Sequence, residues 1–394
     1  MMRCQSVVVG AGVCGLAVAR ALALTGREVV VLEAESAIGT QTSSRNSEVV
    51  HAGIYYDAGS LKARSCVEGR RRLYAFCEEH AVPHRRCGKL IVATSAAQIP
   101  RLDELQLRAA ASGVDGDDAL VRLTAAEARE LEPRVRCVGA VLSPATGVVD
   151  SHALMLALTA ADFDIALGTQ LLSARPSPAG SGSRLQLACA HTGGAEVEFH
   201  CDELVNCAGL AAPRVAAAIA GVSAAVPTPS YAKGNYYALS GPSPFSRLVY
   251  PIPNQAGLGV HATIDLSGQC RFGPDVEWVS PSADGTLDYS VDPARADAFY
   301  DEVRAIAHVI TTATRDATRE RRCHRGGLAG AQVLSRPRRR LARARLRGSA
   351  PEDRRRGRTA RRLRRAGPSR PRRARAGPDV RHRVARADGV ARAG

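Results

Sequence analysis

A glycine-rich turn between two apolar runs is the feature that most limits how this chain can fold. Ser6–Val9 is a short β-branched run, residues 10–15 read Gly-Ala-Gly-Val-Cys-Gly, Leu16–Leu24 is rich in Ala and Leu, and Val29–Leu32 is again apolar. β-branched residues favour strands, whereas Ala and Leu favour a helix. A strand, a turn, a helix and a second strand within about 30 residues form a βαβ unit, which predicts a parallel sheet.

The spacing of the glycines and of the acid that follows them fits a dinucleotide site. Gly10 permits a tight turn, Gly12 lets the backbone approach a pyrophosphate, and Gly15 allows the helix to pack closely on the strand. The helix N-terminus then faces the phosphates. Glu33 ends the second strand, where a carboxylate accepts hydrogen bonds from the adenosine ribose. An acid there disfavours NADP because it repels the extra phosphate, but it leaves FAD and NAD both open.

The net charge of +16 combines two parts of opposite sign. Residues 311–394 contain 28 Arg, no Lys and 6 acidic residues, a net of +22, so the rest of the chain carries a net of −6. Ser335–Gly394 is mostly Arg, Ala, Gly and Pro without an apolar pattern, which predicts a disordered tail. Arg-rich tails can bind RNA or acidic surfaces, but this one lacks Lys and interleaved aromatics, so we expect no specific nucleic-acid partner.

The cysteines and the N-terminus bear on the cellular compartment. The 11 Cys are scattered singly without a CxxC pair, which favours reduced thiols in an intracellular protein over a disulfide framework or a zinc site. The first strand begins at Ser6 and leaves no room for a signal or transit peptide. No apolar run approaches the roughly 20 residues that span a bilayer. We therefore expect no metal, and a protein that is soluble or at most peripheral to a membrane.

Further helices are predicted in three stretches. Leu61–His80 and Asp297–Ile306 have the apolar spacing of amphipathic helices. Residues 100–132 also have helical signals, and Thr124 with Glu127 forms a capping-box pattern within them.

Strand patterns dominate two other regions. Arg184–Cys207 contains two alternating runs joined at His191–Gly194, followed by the apolar run Leu204–Cys207. Residues 230–280 are also rich in strand patterns. Their predicted turns are at Gly234-Asn235, Pro253-Asn254 and Gly268. Helices and strands therefore mix as in a nucleotide-binding domain that is interrupted by an antiparallel substrate domain.

Six short motifs carry a resemblance to a known family. They are Arg45-Asn46-Ser47 with His51-Ala52-Gly53-Ile54-Tyr55-Tyr56, Cys87-Gly88-Lys89-Leu90, Gly147-Val148-Val149-Asp150, Lys233-Gly234-Asn235-Tyr236-Tyr237, Gly257-Leu258-Gly259-Val260-His261 and Phe272-Gly273-Pro274-Asp275-Val276-Glu277-Trp278. In this order they resemble the L-2-hydroxyglutarate dehydrogenases, called oxidases in bacteria. That family is a branch of the D-amino-acid-oxidase (glycine-oxidase-like) superfamily of FAD-dependent oxidoreductases. The resemblance covers roughly residues 5–306.

The resemblance implies an α/β fold with two domains. An FAD-binding Rossmann-like domain of the glutathione-reductase type is expected over residues 1–85 and 146–215. An α+β substrate domain built on an antiparallel sheet is expected over residues 86–145 and 216–306. Residues 307–394 form the Arg-rich tail.

The resemblance also implies which residues hold FAD. The segment after the second strand is expected to run beside the flavin, and the strand that ends near Cys207 returns to the dinucleotide. The expected cofactor-binding residues are Gly10, Gly12, Gly15, Glu33, Arg45, Asn46, Ser47, Ala208 and Gly209.

Oxidation of a 2-hydroxy acid requires a base for the hydroxyl proton, a hydride acceptor beside C2, and cations for the carboxylates. His suits the first task near neutral pH. The resemblance implies that His51 lies against the isoalloxazine, as the base or as a group that orients the flavin. His261 and Lys233 are the other catalytic candidates. A structural histidine bonded to the backbone remains the alternative for both histidines.

Cations and phenols are the candidates for binding the substrate carboxylates. They are Arg45, Lys89 and Lys233, with Tyr55 as a hydrogen-bonding or pocket-lining residue. A solvated surface lysine remains the alternative for each Lys. For one member of the Tyr55–Tyr56 pair, core packing is the expected role because neighbours on a strand face opposite ways.

The implied activity is oxidation of L-2-hydroxyglutarate to 2-oxoglutarate by hydride transfer from C2 to the flavin. A quinone, an electron-transfer flavoprotein or oxygen would accept the electrons. Another 2-hydroxy-acid, amino-acid or glycerol-3-phosphate flavoenzyme stays open, as does an inactive product that lacks the segment closing around FAD. Eukaryotic family members are mitochondrial, and bacterial members are cytoplasmic or membrane-peripheral.

The tail lacks two motifs that family members have near their ends, resembling Gly-Ile-Arg-Pro-Lys-Leu and Phe-Gly-Ile-Glu-Ser-Pro-Gly-Leu-Thr. A shifted reading frame combines bases two and three of each codon with base one of the next codon. In that frame, Val380–Gly389 permits nine successive codons that spell the second motif. Ser369-Arg370-Pro371 likewise permits His-Gly. We therefore predict a shift of reading frame between about residues 307 and 360.

Overall fold

The structure is a computed structural model that describes residues 2–222, 226–253, 259–282 and 285–307, with the backbone of residues 329–332. These residues belong to one unit, Met1–Pro337. The disordered tail and the frame shift are predicted for residues from about 307 onward. Apart from residue 307 and the backbone of residues 329–332, these residues lie outside the described ones.

Helices and strands alternate along the described residues. The α-helices are α1 (Val13–Ala23), α2 (Leu61–Glu79), α3 (Ile99–Ala111), α4 (Ala125–Leu131), α5 (Ser151–Leu158), α6 (Ala212–Ala217) and α7 (Ala296–Ile306). The strands of the first half are β1 (Met2–Arg3), β2 (Ser6–Val9), β3 (Val29–Leu32), β4 (Val49–Val50), β5 (His84–Arg85), β6 (Lys89–Ala93), β7 (Val121–Thr124), β8 (Gly139–Ser143), β9 (Gly147–Val149) and β10 (Asp164–Ala166). Those of the second half are β11 (Thr169–Pro176), β12 (Leu185–His191), β13 (Glu196–Cys201), β14 (Glu203–Asn206), β15 (Tyr231–Ala238), β16 (Leu248–Pro251), β17 (His261–Ile264), β18 (Cys270–Gly273), β19 (Glu277–Val279) and β20 (Ala329–Gln332).

A four-stranded parallel sheet forms around the glycine turn, in the order β10-β3-β2-β14. Val7 pairs with Val30 on one side and with Leu204 on the other, so the predicted βαβ unit and its parallel sheet are confirmed. Apolar residues of this sheet pack with Leu16 of α1 and Met155 of α5 in one buried cluster. Burial of both sheet faces explains why these strands read as continuous apolar runs.

A second four-stranded sheet follows the order β1-β13-β12-β11. Strands β12 and β13 pair antiparallel from Leu185 with Cys201 to Ala190 with Glu196. This hairpin is the one predicted from the two alternating runs. A separate small sheet, β4-β9-β5, joins three short strands antiparallel.

The largest sheet has nine strands, in the order β19-β15-β18-β17-β16-β6-β8-β7, with β20 also paired to β15. Its pairings are antiparallel except for β6 with β16, which are parallel. Phe299, Val303 and Ile306 of α7 pack into the buried cluster of this sheet. The amphipathic helix predicted over Asp297–Ile306 is therefore confirmed, one residue longer at its start.

The strands from the ranges predicted for the two domains lie in different sheets. β6, β7, β8 and β15 to β20 build the nine-stranded sheet, and their residues come from the range predicted for the substrate domain or follow it. The remaining strands, which build the other three sheets, come from the range predicted for the FAD-binding domain. This partition supports the proposed boundaries, which remain a prediction.

Two local predictions were wrong. Residues 100–132 are not one helical stretch, because α3 ends at Ala111 and β7 intervenes before α4. Gly113, which has positive φ, directly follows the C-cap Ser112 and ends the helix, and β7 pairs with β8. The Thr124–Glu127 capping box is nevertheless present at the start of α4.

The second wrong prediction is the turn at Gly234-Asn235. Both residues lie inside β15, where Gly234 pairs with Gln332 and Asn235 with Ala331. The Asn235 side chain donates to Asp275 and Glu277 on the neighbouring segment instead of making a turn. The Gly268 turn is present with φ +81°. In the predicted Pro253-Asn254 turn, Asn254 lies outside the described residues.

The described part of the chain contains neither a candidate membrane span nor a candidate metal centre. None of its helices combines the length and the apolar character needed to cross a bilayer. Nor does it contain a group of three or more His, Cys, Asp or Glu side chains placed to hold a metal ion.

Candidate functional site

The glycine turn joins β2 directly to α1. Gly10 has φ +104°, and its N–H donates to the Leu32 carbonyl oxygen at 2.8 Å. Helix α1 begins at Val13, three residues before the predicted start, because Leu16 N–H already donates to the Gly12 carbonyl at 3.0 Å. The loop amides therefore belong to the helix N-terminus, where the partial positive charge of the helix dipole favours a phosphate.

Side chains at the glycine positions would close this loop. A Cβ on Gly10 would lie 2.5 Å from the Cys207 carbonyl oxygen, and one on Gly15 would overlap the Gly10 carbonyl. A Cβ on Gly12 would lie 3.0 Å from Ser43 Oγ. The three glycines therefore let α1, Ser43 and the turn after β14 approach the loop closely.

Two polar side chains lie against the same loop. Glu33 Oε2 accepts from Ala11 N–H at 2.7 Å, and its Oε1 accepts from Glu35 N–H at 2.9 Å. Ser43 Oγ accepts from Val13 N–H, the first amide of α1, at 3.0 Å. Glu33 was predicted as the acid for the ribose. Ser43 was missed, although the hydroxyl run Thr42-Ser43-Ser44 in the segment after β3 is the signal that could have identified it.

The remaining residues predicted for the cofactor surround this loop. Gly209, with φ +54°, lies with its Cβ position 4.0 Å from Thr42 Oγ1, and Ala208 N–H donates to Asn206 Oδ1. Arg45 donates to the Thr40 carbonyl at 2.7 Å and lies 4.8 Å from the Tyr289 ring. Asn46 bonds to Ser43 and Glu48 and so fixes the turn that also contains Ser47. These segments, distant in sequence, meet at the loop.

This arrangement fits the ADP part of FAD. The glycines leave the loop backbone without side chains, and the N-terminus of α1 and Glu33 flank it. The loop amides with Ser43 would hold the pyrophosphate, and Glu33 would accept hydrogen bonds from the ribose. Bound FAD would supply a two-electron acceptor to a neighbouring substrate.

A second group of residues forms a row across one face of the nine-stranded sheet. Val249 pairs with Ala262, which places Tyr250 opposite His261, and their rings stack with centroids 3.7 Å apart. Tyr236 lies edge-on to His261 at 6.4 Å, over Gly273 of the intervening strand. A Cβ on Gly273 would lie 2.8 Å from the Tyr236 ring, so the absence of a side chain there lets the row continue.

Lys89 of β6 ends this row and is fully buried. Its Nζ lies 4.6 Å from the ring centroid of Tyr55 and 4.6 Å from that of Tyr250. Within the described ranges, neither Lys89 Nζ nor the buried Tyr55 Oη has a hydrogen-bond partner. Burial lowers the pKa of Lys89 from its ordinary value of 10.5 to about 7, and nearby Cys66 opposes part of that change.

The two predicted histidines lie beside Lys89. Burial, and then the charge of Lys89, lower the pKa of His51 from 6.5 to about 4. Burial lowers the pKa of His261 to about 3, although its bond to Gly259 acts in the opposite direction. His261 Nδ1 donates to the Gly259 carbonyl at 3.0 Å. Because a carbonyl only accepts, this bond leaves Nε2 as the basic nitrogen, and it is the structural role that the sequence left open for His261.

Tyr55 and Tyr56 have different neighbours, as expected. Tyr55 contacts Lys89, whereas the ring of Tyr56 lies 4.8 Å from Nζ of exposed Lys62. The segment that carries them consists of turns and not of a strand, so strand alternation is not the reason. Burial raises the pKa of Tyr55 far above its ordinary value, so its phenol remains a hydrogen-bond donor.

Lys233 lies apart from this row. Its Nζ is 3.2 Å from Glu277 Oε1 and donates to the Ser290 carbonyl at 2.8 Å. Alternation along β15 places it on the face opposite Tyr236. The structure therefore brings His51, Tyr55, Lys89 and His261 together, whereas Lys233 is held in an ion pair and Arg45 lies with the cofactor loop.

Sequence reasoning missed the aromatic members of the row. Tyr250 contacts both Lys89 and His261, and Tyr236 lies within a motif that was quoted for other residues. Tyr250 stands in an ordinary apolar strand, Leu248–Pro251, so nothing in its local sequence distinguished it.

Comparisons with known proteins agree with this arrangement. The chain is 43% identical, over 77% of its length and 69% of the relative, to "L-2-hydroxyglutarate dehydrogenase, mitochondrial" of Arabidopsis thaliana. It is 34% identical to the human protein of the same name, over 68% of this chain and 60% of that protein. The chain thus spans about two thirds of the length of the curated relatives it matches. The similarity inferred from the six motifs is confirmed.

Solved structures with a similar fold include two flavin oxidases. The FAD-bound L-alpha-glycerophosphate oxidase of Mycoplasma pneumoniae superimposes with a TM-score of 0.64 at 20% identity, covering 78% of this chain and 79% of that one. Glycine oxidase of Geobacillus kaustophilus superimposes with a TM-score of 0.61 at 21% identity, covering 78% and 80%. These likenesses confirm the predicted α/β fold with an FAD-binding domain. Residues 5–346 match the family described as FAD dependent oxidoreductase, and the chain therefore belongs to that family, with FAD as its cofactor.

Proposed function

We propose that this chain oxidises L-2-hydroxyglutarate to 2-oxoglutarate. Relatives that are up to 43% identical are named L-2-hydroxyglutarate dehydrogenases, which suggests the substrate, and one feature of the site supports it. The Lys89 amine and the Tyr55 hydroxyl are both buried without a hydrogen-bond partner among the residues described, and the amine lies 4.6 Å from the centre of the Tyr55 ring. Buried polar groups are rarely left unpaired, so these two are suited to a polar, anionic ligand such as a hydroxy dicarboxylate.

The chain's own residues divide the work of such a reaction. Tyr55 remains protonated and is suited to donate a hydrogen bond to a carboxylate or to the C2 oxygen. Tyr236, Tyr250 and the buried cluster beneath them exclude water from the reacting carbon. His51, His261 and Lys89 are the groups in reach that can accept the hydroxyl proton. Bound FAD supplies the hydride acceptor.

The electrons then pass to an acceptor, such as a quinone, an electron-transfer flavoprotein or oxygen. The relatives from Arabidopsis thaliana and Homo sapiens are named mitochondrial, whereas the Escherichia coli relative is not. If the source is a eukaryote, we accordingly place the protein in mitochondria. If the source is a bacterium, we place it in the cytoplasm or at the membrane surface.

Flavin reduction by the substrate tests this function directly. The full chain, purified and supplied with FAD, is mixed without oxygen with L-2-hydroxyglutarate or with its D enantiomer as a control. We expect the L form alone to bleach the flavin absorbance and to yield 2-oxoglutarate. A protein that takes up no FAD, or whose flavin is reduced by glycine or glycerol 3-phosphate but not by L-2-hydroxyglutarate, would contradict the proposal.

A further inference from the structure

The row on the nine-stranded sheet and the neighbouring His51 provide three side chains that can take up a proton. They are His51, His261 and Lys89, and the charge of Lys89 lowers the pKa of both histidines, so the three groups form one coupled cluster. Protons taken up by such a cluster go first to its most basic member. Identifying that member identifies the group that receives the hydroxyl proton.

The surroundings of Lys89 favour an uncharged amine. The titratable groups that face it are His51 and Tyr55 from the loop after β4, Cys66 from α2, Tyr250 from β16 and His261 from β17. None of these is a carboxylate, and burial keeps the Cys66 thiol protonated by raising its pKa. An ammonium group here has no counter-ion among the described residues, in contrast to Lys233 with Glu277.

Lys89 nonetheless remains more basic than the two histidines. Its pKa of about 7 exceeds that of His51, about 4, and that of His261, about 3. A general base works best when its pKa lies near the working pH, because it is then both unprotonated and able to hold the proton. Lys89 meets this condition, whereas the two histidines bind a proton only in acid.

The geometry also stabilises the charge that proton uptake would create. The rings of Tyr55 and Tyr250 both lie 4.6 Å from Nζ, and an aromatic face attracts an ammonium group most strongly where water is excluded. Carboxylates of a bound hydroxy dicarboxylate would add attraction. Both attractions act on the ammonium ion and not on the neutral amine.

We propose, as a step that rests on the function above, that Lys89 Nζ is the base that accepts the C2 hydroxyl proton. The substrate O–H bond breaks and an N–H bond forms, which turns the amine into an ammonium ion. The C2–H bond breaks at the same time, and its electron pair leaves as hydride to the oxidised flavin. C2 and its oxygen become the carbonyl of the 2-oxo acid. His51 then serves as a neutral hydrogen-bonding neighbour and not as the base.

A pH profile distinguishes a base from a carboxylate-binding cation. A base must be neutral, so kcat/KM of the wild-type chain rises about tenfold per pH unit below about 7 and levels off above it. A cation that binds carboxylate must be charged, so kcat/KM would fall as the pH rises through 7. A falling profile would overturn the assignment.

Two substitutions give independent checks. Lys89→Met removes the amine at similar volume, and Lys89→Arg keeps a cation that cannot deprotonate. Both should lower kcat/KM at neutral pH by about 10² to 10⁴, with flavin binding retained and, for Lys89→Met, with no loss of melting temperature. Lys62→Arg, an exposed site, should not change it. An arginine variant that keeps activity within tenfold of wild type would show that only the charge matters.

NMR supplies a measurement that needs no turnover. The chain has three lysines, Lys62, Lys89 and Lys233, so ¹³Cε labelling gives three resonances, which Lys62→Arg and Lys89→Arg assign. We expect the Lys89 resonance to titrate near pH 7. Titration above pH 9 would overturn the base assignment while leaving the proposed function intact. A flavin-loaded wild-type chain that does not oxidise L-2-hydroxyglutarate overturns both, since the assignment rests on that activity.

Discussion

At the scale of single residues, two buried lysines show how the same side chain takes different roles. Lys233 is 3% exposed and is paired with Glu277, and Lys89 is fully buried between two tyrosine rings. Burying an ammonium group without a partner is unfavourable, whereas an ion pair with good geometry offsets much of that cost. Lys89 therefore destabilises the folded state, which is common for groups that serve a reaction.

Replacing Lys89 by Met should accordingly stabilise the protein. The pKa of Lys89 is lower in the folded state, about 7, than the ordinary 10.5 of the unfolded chain. Between these values the unfolded state binds more protons, so wild-type stability rises with pH over that window, and below about 7 the full penalty applies. We expect Lys89→Met to gain roughly 1–3 kcal/mol at pH 7, and the gain to vanish near pH 10.5.

Urea unfolding of both proteins between pH 6 and 10 measures this difference. Lys233→Met is the matched control, because it removes the nearer of the two cations beside Glu277, leaving Arg295 at 3.8 Å, and should lower stability at neutral pH. If Lys89→Met destabilises the chain to the same extent as Lys233→Met, Lys89 has a partner in solution and the argument from burial is wrong.

At the scale of elements, the turn between β2 and α1 depends on backbone that only glycine allows. Gly15 packs against the Gly10 carbonyl, so the helix and the strand approach more closely than any side chain permits. Its neighbours in space include Cys207, from the end of β14, which the same absence of side chains admits. One local feature thus sets both the helix position and the space for a phosphate.

Adding one methyl group at two helical glycines separates this effect from helix propensity. Gly15→Ala puts a Cβ on the Gly10 carbonyl and should lower stability by about 2–3 kcal/mol and abolish FAD uptake, read from the flavin absorbance of the purified chain. Gly69→Ala in α2 meets no atom within 4 Å and should instead stabilise the chain by about 0.5–1 kcal/mol. Equal FAD content in the two variants would contradict the role given to the loop.

At the scale of the whole molecule, the fold joins two parts of the chain that alternate in sequence. The parallel sheet and the glycine loop come mainly from the first 85 residues and from residues 146–215, and the nine-stranded sheet from the intervening and following ones. The chain crosses between them after β5, after β8 and after α6. Each crossing brings residues of the candidate site into reach, such as His51 of one part and Lys89 of the other.

The tail gives a prediction about the gene as a whole. In the shifted frame, Val380–Gly389 permits nine successive codons that spell the second motif expected from the family resemblance, which favours one change of reading frame upstream of it. We expect the transcript to encode that motif in a frame other than the one that precedes residue 307. Sequencing the transcript decides the matter: a single uninterrupted frame through Val380 as written would refute the shift.

Local sequence by itself determined the βαβ unit, the glycine loop, the hairpin of β12 and β13 and the Thr124 cap, because short-range hydrogen bonds and side-chain periodicity fix these features. It also singled out His51, Tyr55, Lys89 and His261. Only the tertiary structure decided which of the buried lysines has a counter-ion. Glu277 reaches Lys233, and Tyr250 reaches Lys89, through strand pairings between segments far apart in the chain. The electrostatic environment of a buried group depends on such neighbours, and no local pattern records them.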